Sequence, residues 1–191
     1  MDKYMLVILS GSSGVGKNTI INRILEDMNN VELMPTMTTR EKRPGEEPGK
    51  PYIFVSKEEF ERMIEGDELV EYQIVHGFYY GTPKKIINEK FKGNKVLIKD
   101  IDVDGTQNLV KSIKNVITIY LKPKSKEQLI ERLKGRGEER IEVRLARYEH
   151  EEAMSGTYKY ILVNDQLEET VGKIKDIIIK EYNESLKGQS K

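Results

Sequence analysis

Apolar residues along the chain alternate between unbroken runs and helical stripes. Tyr4–Leu9 is an apolar, β-compatible run, and the loop Ser10–Gly16 after it gives way to Ile20, Ile21, Ile24, Leu25 and Met28, spaced for one face of a helix. That order is strand, glycine loop, helix. A second run, Lys95–Ile101, ends in acids, and a third, Val116–Leu121, stops before Lys122-Pro123. Leu129 and Leu133 return to helical spacing, as do Val171, Ile174, Ile177 and Ile178 after a turn at Asn164-Asp165. Strands alternating with helices predict an α/β fold on a parallel sheet. Residues 35–93 break the pattern: Pro35, Pro44, Pro48, Pro51 and Pro83 crowd there and predict an inserted small lobe. The end of the chain from Leu186 is polar, and no repeat or low-complexity tract interrupts the rest.

With 191 residues the chain has room for one domain and a real core. Lys and Arg total 32 and Asp and Glu total 32, so a nucleic-acid or membrane binder relying on bulk positive charge is excluded and any binding charge is local. The absence of cysteine removes disulfides and thiolate catalysis, and two histidines, His76 and His150, do not build a zinc cage. A bound metal would need oxygen ligands. The first apolar run is too short for a signal-peptide core or a membrane span, so the expectation is a cytoplasmic protein that binds neither nucleic acid nor membrane.

Gly11-Ser12-Ser13-Gly14-Val15-Gly16-Lys17 satisfies G-x-x-x-x-G-K between a predicted strand and a predicted helix, the context a P-loop requires. Glycines let successive backbone N–H groups point at phosphate oxygens, the helix N-terminus adds positive dipole, and Lys17 reaches the outer phosphates. A turn that merely closed a strand–helix corner would have no use for Lys17. Asn18 occupies the position where the pattern places a Mg²⁺-binding Ser or Thr, and Thr19 follows one residue later.

Four further motifs accompany the loop: Thr38-Thr39-Arg40-Glu41-Lys42-Arg43-Pro44-Gly45-Glu46, Gly77-Phe78-Tyr79-Tyr80-Gly81-Thr82, Asp100-Ile101-Asp102, and Arg132-Leu133-Lys134-Gly135-Arg136-Gly137, with Val163-Asn164-Asp165 beyond them. Together they resemble the guanylate kinase family, from about residue 5 to residue 182. The resemblance implies one domain over about residues 4–184: a three-layer P-loop core (1–34, 94–133 and 148–191), a GMP-binding lobe (35–93) and a helical lid (134–147). It implies ATP-dependent phosphorylation of GMP, or dGMP, in purine nucleotide metabolism, with Mg²⁺, by a monomer or homodimer.

Residue by residue, the resemblance places Gly11, Ser12, Ser13, Gly14, Val15, Gly16, Lys17, Asn18, Thr19 and Arg132 at ATP. Arg40, Arg43, Tyr52 and Tyr80 clamp the GMP phosphate, as guanidinium forks and phenol donors suit phosphate oxygens. Thr36, Glu71, Thr82 and Asp102 read the base. Guanine offers N1–H and a 2-amino group side by side, which one carboxylate accepts, whereas adenine N1 would turn a lone pair toward it. Lys17, Arg136 and Arg144 stabilise charge in transfer, while Asp100, through water, and Thr19 are candidate metal ligands. Asp100 and Asp102, two apart on a strand, share a face at its carboxyl end, where open α/β sheets place their ligand crevice.

Residues 132–147 hold six basic side chains against three acidic ones in a neutral chain. If the chain is helical after Gly137, neither Arg140 nor Arg144 meets a carboxylate one turn away, which leaves both for a polyphosphate. Departures from the family pattern are Asn18, Lys99 where an apolar residue is usual, Asp104 where an amide or glutamate is usual, Phe78 where asparagine is common, and a shorter lid. His76 and His150 receive no role, and Tyr148, Tyr158 and Tyr160 are read as packing. Two rival readings are a kinase for another small acceptor and a catalytically silent module docking a phosphopeptide through Arg40, Arg43 and Tyr52. The second has no need of Lys17 or the lid arginines.

Overall fold

A computed structural model of the chain describes residues 4–43, 45–75, 77–92, 95–135, 137–138 and 141–187. The elements in chain order are β1 (Tyr4–Gly11), α1 (Lys17–Asp27), β2 (Val31–Leu33), β3 (Thr36–Thr38), β4 (Tyr52–Phe54), α2 (Lys57–Glu65), β5 (Leu69–Val75), β6 (Phe78–Pro83) and α3 (Lys84–Lys90). They continue with β7 (Lys95–Asp100), α4 (Val103–Ser112), β8 (Val116–Lys122), α5 (Lys126–Gly135), α6 (Ile141–Ala146), α7 (Tyr148–Met154), β9 (Tyr160–Val163) and α8 (Leu167–Lys187).

The apolar run of β1 is buried on both faces, and its period of two sorts it between two cores. Met5, Val7 and Leu9 meet Ile20, Ile24, Ile174 and Ile178 of α1 and α8, while Leu6 and Ile8 meet Ile87 and Leu109 of α3 and α4. Helices on both faces make three layers. The sheet is parallel throughout, in the order β2-β7-β1-β8-β9. Its register sets Leu9 beside both Asp100 and Ile119, so the carboxyl ends of β1 and β7 open on the same crevice.

Two edge strands of that sheet are short. β2 is three residues long with only Val31 buried, and β9, apolar throughout as Tyr160-Ile161-Leu162-Val163, alternates half-buried with exposed positions. Pairing with β7 and β8 holds them in the sheet.

The proline-rich segment folds as a second, mixed sheet in the order β4-β3-β6-β5, in which β3 pairs parallel with β4 and antiparallel with β6. Helix α2, capped by the Ser56 hydroxyl on Glu59 N, closes a small core of Met37, Phe60 and Leu69, with Phe60 stacked on Tyr79 at 5.0 Å. No helix of the described residues is long and apolar enough to cross a membrane.

Candidate active site

β1 ends at Gly11 with φ +141°, where a Cβ would lie 2.3 Å from the Leu121 carbonyl oxygen, so only glycine lets the strand turn this close to β8. The loop then enters α1 through Gly16 at φ +107°, with no side chain capping the helix and no acid in its first turn. The N-terminal amides are left for an anion. Lys17 Nζ donates to the carbonyls of Gly11 at 2.5 Å and Ser12 at 3.3 Å and sits 3.9 Å from Asp100 Oδ1. The ammonium is thereby held across the loop mouth.

From behind, Asn164 Nδ2 donates to the Val15 carbonyl at 2.7 Å, and Arg132 donates to that carbonyl at 3.2 Å and to the Asn164 carbonyl at 3.0 Å. Four side chains expected at ATP, those of Ser12, Val15, Thr19 and Arg132, do not line the cleft in this structure. The side chains of Ser12 and Val15 are buried, and the Val15 amide donates to the Ser12 carbonyl at 3.1 Å. Arg132 is spent on loop carbonyls and does not line the cleft, and Thr19, rotated one helical position beyond the cleft-lining Asn18, is exposed outside it. Gly11, Ser13, Gly14, Gly16 and Lys17 do line it.

The cleft, of about 520 Å³, runs from this loop to the small lobe. At the far end Arg40 donates to Glu46 Oε1 at 2.8 Å and lies over the Tyr52 and Phe54 rings at 5.1 and 5.5 Å. Glu46 Oε2 accepts from Arg43 N at 2.8 Å, and Tyr80 meets Tyr52 edge-on at 6.1 Å. Burial, reinforced by the Asp100 charge, pushes the Tyr52 phenol well above its ordinary range, so it remains a donor. The Arg43 side chain is exposed at the rim.

Between the two ends stand Thr36, Glu71, Asp100 and Asp102. Glu71 is buried and its Oε1 accepts from Thr82 Oγ1 at 2.5 Å. Thr82 is wholly buried behind that carboxylate, does not line the cleft and donates its hydroxyl hydrogen bond to Glu71. Asp102 caps α4 through Oδ1, accepting from Gly105 N at 2.7 Å, with Oδ2 3.8 Å from Arg147. Lys99 is wholly buried beside this group, its Nζ donating to Thr36 Oγ1 at 2.5 Å and to the Pro35 carbonyl at 3.3 Å. Burial brings its ammonium down to about 8, against the opposing pull of Glu71 and Asp100.

The roof comes from Gly137, Glu138, Arg144, Arg147 and Glu151. The expectation that nothing neutralises Arg144 fails: its Nε donates to Glu138 Oε2 at 3.1 Å. Gly137 and Glu138 are not helical, and Gly137 stands at φ +70°, so Glu138 reaches Arg144 six residues on rather than over one helical turn. Arg136, Arg140 and His76 lie outside the described residues. His150 Nε2 lies 2.9 Å from Asp104 Oδ1, and Arg147 donates to Asp104 Oδ2 at 3.2 Å, so the aspartate at that unusual position anchors the roof helix α7. Sequence reasoning missed Glu46, Asn164 as a loop clamp, Glu138 and Glu151. Glu46 and Glu138, each six residues from the arginine it meets, lay inside motifs already singled out; Asn164 acts across a separation that no short motif records.

Residues 3–181 match the family model described as guanylate kinase. The chain is 40% identical over 184 residues to the guanylate kinase of Mesoplasma florum, covering 94% of this chain and 62% of that protein. It is 37% identical over 184 residues to the guanylate kinase of Lactococcus lactis subsp. lactis, covering 95% and 90% respectively. The crystal structure of guanylate kinase from Anaplasma phagocytophilum superposes with a TM-score of 0.76 at 30% identity, over 95% of this chain and 87% of that one.

Proposed function

Since the chain belongs to the guanylate kinase family and phosphorylates GMP with ATP, we propose how its own side chains divide that work. The loop amides of residues 11–18 and the Lys17 ammonium hold the ATP phosphates, and Arg40, Arg43, Tyr52 and Tyr80 hold the phosphate of GMP or dGMP. Glu71 and Thr36 read the base, with Thr82 positioning Glu71 and Asp102 on the same wall. Arg144 stabilises the transferring phosphoryl once the roof closes, and Arg136 shares that role by its place in the sequence. No general base is needed, because the acceptor is already an anion. One continuous cleft joining the phosphate loop to the arginine and tyrosine cluster supports this reading most strongly.

The donor set suits Mg²⁺. Asp100, with a carboxylate in the cleft 3.9 Å from the loop lysine, and Asn18, whose amide lines the same wall, are hard oxygen donors, as Mg²⁺ shared with substrate phosphates requires. When bound, the ion neutralises charge on the outer ATP phosphates. The cellular setting that fits is cytoplasmic purine nucleotide metabolism, with the chain as monomer or homodimer. A paired experiment tests the division of labour. Lys17→Ala is expected to lose most of kcat while its Kd for GMP stays nearly unchanged, whereas Arg40→Ala is expected to raise KM for GMP strongly. Near-normal turnover in Lys17→Ala at saturating nucleotides, or a normal GMP KM in Arg40→Ala, contradicts it.

A further inference from the structure

A buried cation supports the base-facing wall of the cleft at a position where the family resemblance leads one to expect an apolar side chain. Lys99, wholly buried on β7, reaches across to β3, where its Nζ donates to Thr36 Oγ1 at 2.5 Å. An ammonium has donors and no lone pair. It therefore occupies a lone pair of the Thr36 oxygen, and its charge turns the positive end of the O–H dipole away. Among the described residues no protein acceptor takes the Thr36 proton, and Thr36 lines the cleft, so the proton is left for whatever fills the site.

Once Glu71 has accepted N1–H and the 2-amino group, the remaining edge of guanine, O6 and N7, consists of acceptors. Adenine puts an amino donor at position 6. A free hydroxyl would rotate to serve either; one backed by a cation is not free to do so. We propose that Lys99 is a specificity-setting positioning residue, which fixes the Thr36 hydroxyl as a donor toward the base and so selects purines with an oxygen at position 6. This rests on the reading that Thr36 and Glu71 face the base.

The test compares kcat/KM for GMP, IMP and AMP in the full-length enzyme and in Lys99→Met, Lys99→Gln, Thr36→Val and the Lys99→Met, Thr36→Val double variant. IMP keeps O6 and N1–H and lacks only the amino group facing Glu71, so it separates the two readers. Measured at a pH where Glu71 is ionised in both proteins, Lys99→Met is expected to shrink the GMP to AMP ratio roughly tenfold, about the factor one hydrogen bond supplies, leaving the GMP to IMP ratio within about twofold and the KM for ATP unchanged. Lys99→Gln, which keeps an uncharged N–H donor, is expected to give an intermediate ratio and guards against a Met variant that fails to fold. In the Thr36→Val background, adding Lys99→Met is expected to change the GMP to AMP ratio less than about twofold. If Thr36→Val leaves the GMP to AMP ratio intact, the base-reading assignment falls. If Thr36→Val shrinks that ratio and neither Lys99 variant does, or if Lys99→Met depresses GMP and AMP equally, the inference about Lys99 falls alone.

Discussion

Glu71 shows how a single side chain acquires its chemistry from its surroundings. Burial raises its carboxyl above the ordinary glutamate value, while the Lys99 charge and the hydrogen bond from Thr82 hold it down. In the proposed role the ionised form would accept two donors from guanine, and the neutral form would carry a proton that adenine N1 can accept. As pH falls through the raised pKa, the neutral form accumulates, so the GMP to AMP ratio of kcat/KM is expected to fall from an acid limb lying above the usual carboxylate range. The phosphate titration is common to both nucleotides and cancels in the ratio. Glu71→Gln is expected to weaken GMP by tens to hundreds of times, since charged hydrogen bonds contribute about 1.5–3 kcal/mol each, and to flatten the limb. A pH profile of the ratio unchanged by Glu71→Gln would remove this residue from base recognition. Nothing in the sequence around Glu71 marks it by itself; the resemblance located it, and the structure supplies Thr82 and Lys99 as the partners that tune it.

Among the elements, the lid departs furthest from what its sequence suggests. A helix continued through residues 137–147 would leave its arginines bare, but Gly137 breaks it and delivers Glu138 to Arg144. Both partners are partly exposed, at 20% and 23%, and such a bridge contributes at most about 1 kcal/mol. A polyphosphate in the cleft would displace it at little cost. If Arg144 takes the proposed role of meeting the transferring phosphoryl after closure, Arg144→Ala is expected to lower kcat by about a hundredfold or more, and Arg144→Lys to recover little, because an ammonium lacks the planar fork. Normal kcat with a raised KM in Arg144→Ala would make the lid a binding clamp only. The longer elements were legible for a plain reason: β1, α1, β7 and β8 each carry a predominantly apolar run or stripe that burial on the sheet demands. β2 was not, because an edge strand of three residues owes its conformation to a neighbour, and β9, though apolar, is too short at four residues to stand out from the turn that follows it. In the inserted lobe, prolines announced the break in pattern without revealing the four strands within it.

At the scale of the whole molecule, two sheets face one cleft, and each contributes one chemistry. The parallel sheet brings Gly11, Lys17 and Asp100 to its carboxyl edge by the register of β1 and β7. The mixed sheet brings Thr36, Tyr52, Glu71 and Tyr80 to the opposite wall. The clamps between distant segments, Asn164 and Arg132 on the loop and Asp104 on Arg147, hold these parts in place and are legible only once the chain is folded. The central claim is that the second wall is built for a guanine nucleotide. The most direct measurement is ADP release by the unmodified enzyme across GMP, dGMP, AMP, CMP and UMP at equal concentration with excess ATP. A site whose buried polar groups are left unpaired by the wrong base rejects it by about 10⁴-fold. The account predicts kcat/KM for GMP above that for AMP, CMP and UMP by roughly that factor; comparable turnover of AMP would contradict it.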